Sequence, residues 1–356
     1  MSIGVSIPEN GNSINAELEI ITGTGEILND KKANGEERPF VKHKIGSLKL
    51  YKLYALAKKI DRDCISKSSY AALEHCASFL LYKLNQKGDK RLKQADFCKA
   101  RLCPMCNWRK SLKIFSQTSQ ITDYMLEQHP TTRFIFVTLT QKNCGFDSLE
   151  EAIKAMNDAF SKLTAKGRKY AFAVNFKKSL LGYMRAIEVT YNEKDKTFHP
   201  HIHTIFAVKP SYFSTGYISH DGWREMWQEA MGLDYEPQVN VQTIKTKKKE
   251  IDLTAPNEVK TALVCAVAET AKYPVKMDGI LNLPEKTATE VIIALSKALR
   301  GKRLVVFGGL FLDCQKALKL DDVEDGDLIG VEGEEPINEV AQVLYKFQVK
   351  VGCYVC

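Results

Sequence analysis

A chain of 356 residues, 44% hydrophobic and 26% charged, has room for about two or three domains and can bury a core without disulfide staples. No apolar run approaches the ~18 residues of a membrane-spanning helix, and residues 1–5 lack a basic and then apolar signal pattern, so a cytoplasmic protein is expected. The net charge is +8, yet residues 321–335 hold eight acidic residues and no Lys or Arg; the remaining body is therefore more basic still and suits a polyanionic partner such as nucleic acid.

In chain order, residues 1–40 are polar and without period, which predicts a mostly disordered leader. Residues 45–87 carry leucines at helical spacing, and residues 98–112 form a cysteine-bearing turn leading into a basic helix. The β-branched and aromatic run 134–140 predicts a buried strand, and Ser148-Leu149-Glu150-Glu151 opens a helix. Residues 183–191 and 198–208 read as a β-hairpin around the polar turn 192–196. A helix over 223–231 and a strand over 239–244 follow, then helices from Pro256 to Tyr273 and over 287–299. The strands and helices do not alternate strictly, so the expected class is α+β with an antiparallel sheet.

The sharpest signal is His199-Pro200-His201-Ile202-His203, three of the seven histidines within five residues. On a strand these histidines share one face, and neutral imidazoles converging there suit a divalent metal. If Tyr191 pairs with Phe198, Glu188 falls opposite His201 and joins the same face; a one-residue slip would remove it. His201, His203 and Glu188 are thus the expected ligands, with His199 as a further ligand or support. Two imidazoles and a carboxylate leave positions open for substrate oxygens.

Glu269 and Tyr273 stand four residues apart, neighbours on a helix face, and Pro274 should end the helix there and present the phenol. A tyrosine can attack a phosphodiester and hold the product covalently, with a metal polarising the phosphoryl oxygen and a nearby glutamate later activating water.

Together these pieces resemble the HUH family of single-strand nucleases, specifically the rolling-circle replication initiators of small plasmids from Gram-positive bacteria. Three motifs occur in the family's order: Phe136-Val137-Thr138-Leu139-Thr140, then His201-Ile202-His203, then Tyr273. The glutamate four residues before the tyrosine, the segment from Phe97 to Lys110 and Trp223-Arg224-Glu225-Met226-Trp227 also look like one branch of these initiators. The resemblance spans roughly residues 45–315. It implies a ferredoxin-like domain with about five antiparallel strands, Tyr273 as nucleophile, Glu269 as base for a terminating hydrolysis, and His201, His203 and Glu188 as ligands of Mg²⁺ or Mn²⁺. It also implies nicking of plasmid origin DNA, single-stranded or extruded as a hairpin, retention of the 5′-phosphate on the tyrosine, and host helicase and polymerase partners. The expected organisation is a leader (1–40), a helical, cysteine-rich zinc and DNA-binding region (41–125), the nuclease domain (126–315), and an acidic segment with a C-terminal tail (316–356).

In a reducing compartment, Cys98, Cys103 and Cys106 point to structural zinc, with Cys76 the expected fourth ligand and His75 and Cys64 as alternatives. Cys353 and Cys356 have the same spacing without partners and read as a frayed tail. Arg101, Arg109, Lys110 and Lys272 are the expected DNA contacts; Lys113, Lys177, Lys178 and the run 247–249 are weaker candidates. Two other readings compete. An HUH relaxase or transposase is one, although relaxases carry their tyrosine before the histidines. The other is a non-catalytic zinc-containing DNA-binding regulator, which would need neither the histidines nor Tyr273.

Overall fold

Period-2 strands and leucine-rich helices, interspersed without strict alternation, give, in the computed structural model, a mixed α+β molecule; residues 20–31, 35–165, 170–244, 262–272, 275–331 and 337–356 are described. The first part contains β1 (Ile20–Ile21), α1 (Phe40–Ile60), α2 (Lys67–His75), β2 (Phe79–Leu84), β3 (Lys90–Ala95) and α3 (Pro104–Gln128). There follow β4 (Arg133–Thr140), α4 (Leu149–Thr164), α5 (Val174–Ser179), β5 (Leu180–Asn192), β6 (Thr197–Val208), α6 (His220–Met231) and β7 (Val239–Ile244). The last part holds α7 (Ala262–Thr270), α8 (Met277–Ile280), α9 (Glu285–Ala298), β8 (Val305–Gly309), α10 (Leu310–Ala317), β9 (Ala341–Gln348) and β10 (Cys353–Val355). None of these helices is long and apolar enough to cross a membrane.

One five-stranded sheet runs β7-β4-β6-β5-β8 with every neighbouring pair antiparallel. Its side chains alternate between two cores. Ile135, Val137, Leu139, Ile187, Val189, Ile202 and Phe206 pack on one face with residues of α4 and α6. Phe134, Phe136, Met184, Ala186, Ile205 and Ala207 pack on the other, against α3, α7 and α10. The β5–β6 hairpin has the register expected from its sequence, with Tyr191 opposite Phe198 and Glu188 opposite His201. Even-numbered Glu188 and odd-numbered His201 and His203 therefore lie on the face covered by α7. At the β5–β8 edge the backbones approach so closely that a Cβ on Gly182 would strike the Gly308 carbonyl.

The second sheet, β1-β9-β2-β3 with β10 on β9, departs from the sequence reading. Residues 79–84 satisfy a helical leucine spacing, but they form a strand. A short run of apolar residues cannot be told from a buried helix by period alone, and the turn at Asn85, whose side chain accepts from the Lys87 and Asp89 amides, folds it back onto β3. The tail read as frayed is ordered: Tyr354 is fully buried and donates its hydroxyl hydrogen to the Ala77 carbonyl at 2.7 Å. Part of the leader is ordered as well, since β1 pairs with β9 and Asp30 accepts from Tyr82 and Arg38, each at 2.8 Å. The sheet thus joins segments from residues 1–40, 41–125 and 316–356.

The acidic segment also packs. Glu324 is buried, and its carboxylate accepts the amides of Leu304 and Val305 at 2.8 and 3.0 Å, capping the start of edge strand β8. Asp321 accepts from Lys113 and Gln117 on α3.

Candidate functional site

β5 and β6 present Glu188, His201 and His203 side by side, with one ligand atom from each lying within 4.8 Å of the others. The Nε2 atoms of His201 and His203 both stand 3.3 Å from Glu188 Oε2. His201 Nδ1 lies 3.2 Å from the His199 carbonyl. A carbonyl only accepts, so Nδ1 carries a hydrogen and Nε2 is left to face Glu188. His203 is held by Thr138 Oγ1, 3.2 Å from its Nδ1, and by the parallel ring of Phe136. His199 stacks on His201 and contacts Asn143 Oδ1 at 3.0 Å, a supporting position.

Glu188 is 4% exposed. Burial opposes its ionisation, but hydrogen bonds from His201 and His203 and the charge of Lys276 outweigh this and hold the carboxyl well below the usual range. Its Oε1 makes no hydrogen bond, although Lys276 Nζ lies 3.2 Å away. A buried carboxylate oxygen without a hydrogen bond, beside two imidazole Nε2 atoms able to give up their hydrogens, is a donor set that fits a divalent cation.

α7 lays Leu263, Ala266, Val267 and Ala271 onto the same sheet face. Glu269, near its end, brings Oε1 to 3.9 Å from His203 Nε2 and pairs with Lys272. Helical hydrogen bonding continues to the Ala271 amide; Tyr273 and Pro274, like residues 247–249, lie outside the described residues. Lys276, three positions after Tyr273, was not singled out from the sequence. A lysine in so basic a chain is marked out only by the Glu188 carboxylate beside it in the fold.

The four cysteines expected to bind zinc also meet. Cys76 Sγ lies 3.6 Å from both Cys103 and Cys106, and Cys98 lies 3.7 Å from Cys106. Four sulfurs about 2.3 Å from a tetrahedral centre are about 3.8 Å apart, so the spacing fits zinc. The Lys99 amide donates to Cys106 Sγ and the Ala100 amide to Cys98 Sγ. Burial opposes ionisation of Cys103, but hydrogen bonds from Cys106, Cys76, Cys98 and Ser47 outweigh it and lower its pKa. His75 and Cys64 are not part of the group.

The expected DNA contacts fare unequally. Arg109 is buried, stacks by Phe40 and Trp108, and donates to the Leu328 carbonyl at 3.1 Å, so it braces the acidic segment instead of facing a phosphate. Lys113 is likewise buried and bound to Asp321 at 2.7 Å. Lys177 donates to the Ala165 carbonyl, whereas Lys178 is exposed. Lys110 and Arg101 line an open cleft, and Lys272 stands at the rim of the histidine site.

The Rep_1 family, described as replication protein, matches residues 89–355. This chain belongs to the Rep_1 family. Among similar proteins, "Protein rep" of Streptococcus pneumoniae serotype 2 is 36% identical over 85% of this chain and 87% of its own length. "Protein rep" of Lentilactobacillus hilgardii is 36% identical over 89% of this chain and 94% of its own. "Replication protein" of Staphylococcus aureus is 36% identical over 63% of this chain and 89% of its own. No solved structure matches this Rep_1 chain. The resemblance to plasmid replication initiators is thereby borne out at the level of family.

Proposed function

We propose that this Rep_1 protein is an HUH-type endonuclease, built on a ferredoxin-like sheet, that nicks one strand of a plasmid's double-strand origin and so starts rolling-circle replication. The observation that carries the reading is the meeting of Glu188, His201 and His203 on one sheet face with Glu269 of α7 beside them. His201 and His203, through Nε2, and Glu188 would hold a divalent ion, Mg²⁺ or Mn²⁺. Once bound, such an ion polarises the scissile phosphoryl oxygen and offsets the charge that develops there.

The chain's own residues supply the rest. Tyr273 Oη attacks phosphorus, forming a phosphotyrosine with the 5′ side, while the bond to the 3′ oxygen breaks and that oxygen leaves as a 3′-OH carrying a proton. Lys276 balances the Glu188 charge and Lys272 that of Glu269. In the last cycle Glu269 takes the proton from water as that water attacks the phosphotyrosine, and the phenol is restored. The free 3′-OH would prime a host polymerase, with a host helicase opening the duplex. The Cys76, Cys98, Cys103 and Cys106 group would be a structural zinc knuckle.

The test is a covalent-adduct assay with Mn²⁺ and a labelled single-stranded oligonucleotide from the plasmid's own origin, resolved on a denaturing gel. An adduct that needs metal and is lost in both Tyr273→Phe and His201→Ala is expected. Adduct formation by Tyr273→Phe at the wild-type rate would move the nucleophile elsewhere. Origin binding with no adduct from any variant would favour the non-catalytic regulator.

A further inference from the structure

The α3 helix divides its cations between two surroundings. On one side Arg109 and Lys113 are buried under the acidic segment and satisfied by the Leu328 carbonyl and Asp321. On the other, Lys110 opens onto a cleft of about 980 Å³ walled by the last turn of α1, the start of α2 and the residues after α9. Lys58, Arg62, Lys67 and Arg300 line the same cleft, against only Asp63 and Asp325. Among the described residues none of these five cations has an ion-pair partner: Lys58 lies over the Tyr70 ring at 4.3 Å and Arg300 donates to the Asp63 backbone carbonyl. Asp61 is nearby but already paired with Lys297 at 2.7 Å.

We propose that this cleft is a second nucleic-acid site, which grips consecutive phosphates of the origin DNA stem while the histidine site holds the strand to be cut. It rests on the reading of the chain as an origin nuclease, and shares no residue with the histidine site. Lys110 is partly buried beside Arg101; the charges of Glu324 and Asp325 offset only part of the cost of holding its ammonium there and neither carboxylate pairs with it, so an incoming phosphate would offset the remainder. Arg101 itself faces Glu324 at 3.6 Å and is partly neutralised. The hydroxyls of Ser66 and Ser69 also line the cleft, beside the α2 amides, and add donors for phosphate oxygens. Cations spread over four elements, around a volume far larger than one phosphate, suit a chain of phosphates better than a small anion.

The experiment uses the full chain and two labelled probes, a hairpin carrying the origin stem and a short single strand carrying only the nick sequence. The charge-removing variant is Arg62→Gln/Lys67→Gln/Lys110→Gln. Its affinity for the hairpin should fall at least tenfold near 0.1 M salt, and its log–log salt slope should become shallower by about 2–3, at ~0.9 per phosphate contact. Cleavage of saturating short strand and the thermal melt should stay as in wild type. The charge-retaining variant Arg62→Lys/Lys67→Arg/Lys110→Arg should recover hairpin binding. Unchanged hairpin affinity and slope, or a loss that the charge-retaining variant shares, would overturn the assignment. Failure of the nuclease reading looks different: it would appear as no cleavage of the short strand and no adduct from the wild-type chain, whatever the hairpin affinity.

Discussion

Replacing Glu324 by alanine tests whether the acidic segment is a structural strap. Glu324 is 6% exposed and its carboxylate accepts two amides, at 2.8 and 3.0 Å, from Leu304, just before β8, and from Val305, its first residue. Hydrogen bonds to a charged acceptor contribute roughly 1.5–3 kcal/mol each, and an orphaned buried donor costs about 1–3 kcal/mol. Because both amides share one oxygen and the edge of β8 can admit water, the lower end applies to each, which gives about 3 kcal/mol for Glu324→Ala. With an unfolding entropy of about 2.1 cal/mol/K per residue, this corresponds to a fall in melting temperature of about 4 °C. Glu324→Gln retains an acceptor without the charge and should lose about half as much, and Asp325→Asn, whose side chain is exposed, should lose nothing measurable. The assay is thermal unfolding followed by circular dichroism, with urea titration as a check. A Glu324→Ala protein that melts with wild type would refute the strap and make the amide contacts incidental.

Two further outcomes concern metals. Glu188→Gln should weaken Mn²⁺ binding, measured by calorimetry, by more than about 100-fold, because a ligand is a stronger determinant than the outer groups whose loss costs 10–100-fold; unchanged affinity would remove Glu188 from the ligand set. Purified wild type should carry one zinc per chain by elemental analysis, and Cys103→Ser should carry none and melt at lower temperature; retention of zinc by that variant would exclude Cys103.

What the sequence made legible was local or periodic. The alternation of Tyr183–Tyr191 and Phe198–Val208, with a polar turn between them, marks a hairpin whose register the sequence leaves conditional; the structure has Tyr191 opposite Phe198, the pairing that carries Glu188 to the histidines. The cysteine spacing marked three of the four grouped thiols; a tetrahedral centre calls for a fourth ligand, and only the fold singles out Cys76 over His75 and Cys64. The second sheet was not legible, because its pairs join Phe79 to Lys346 and Ile20 to Gln342 and neither partner signals the other locally. The same reason misplaced Arg109 and Lys113. Both look like surface cations on a basic helix, and only the distant segment around Asp321 and Leu328 buries them. Lys276 lay in view three residues from Tyr273, but a lysine in a basic chain carries no signal until Glu188 is found beside it.

The pairing of β2 with β9 bears on how the protein is made. The five-stranded sheet is complete once β8, ending at Gly309, has emerged from the ribosome. β2 and β3 are synthesised far earlier, yet the inner edge of β2 stays open until β9 arrives more than two hundred residues later. Cys76 lies just before that strand, and Tyr354, from β10, seals Ala77 beside it. Translation therefore passes through a stage in which every strand of the β7-β4-β6-β5-β8 sheet is available while a strand edge next to the thiol cluster is exposed. That interval is where misassembly and unwanted thiol oxidation would concentrate.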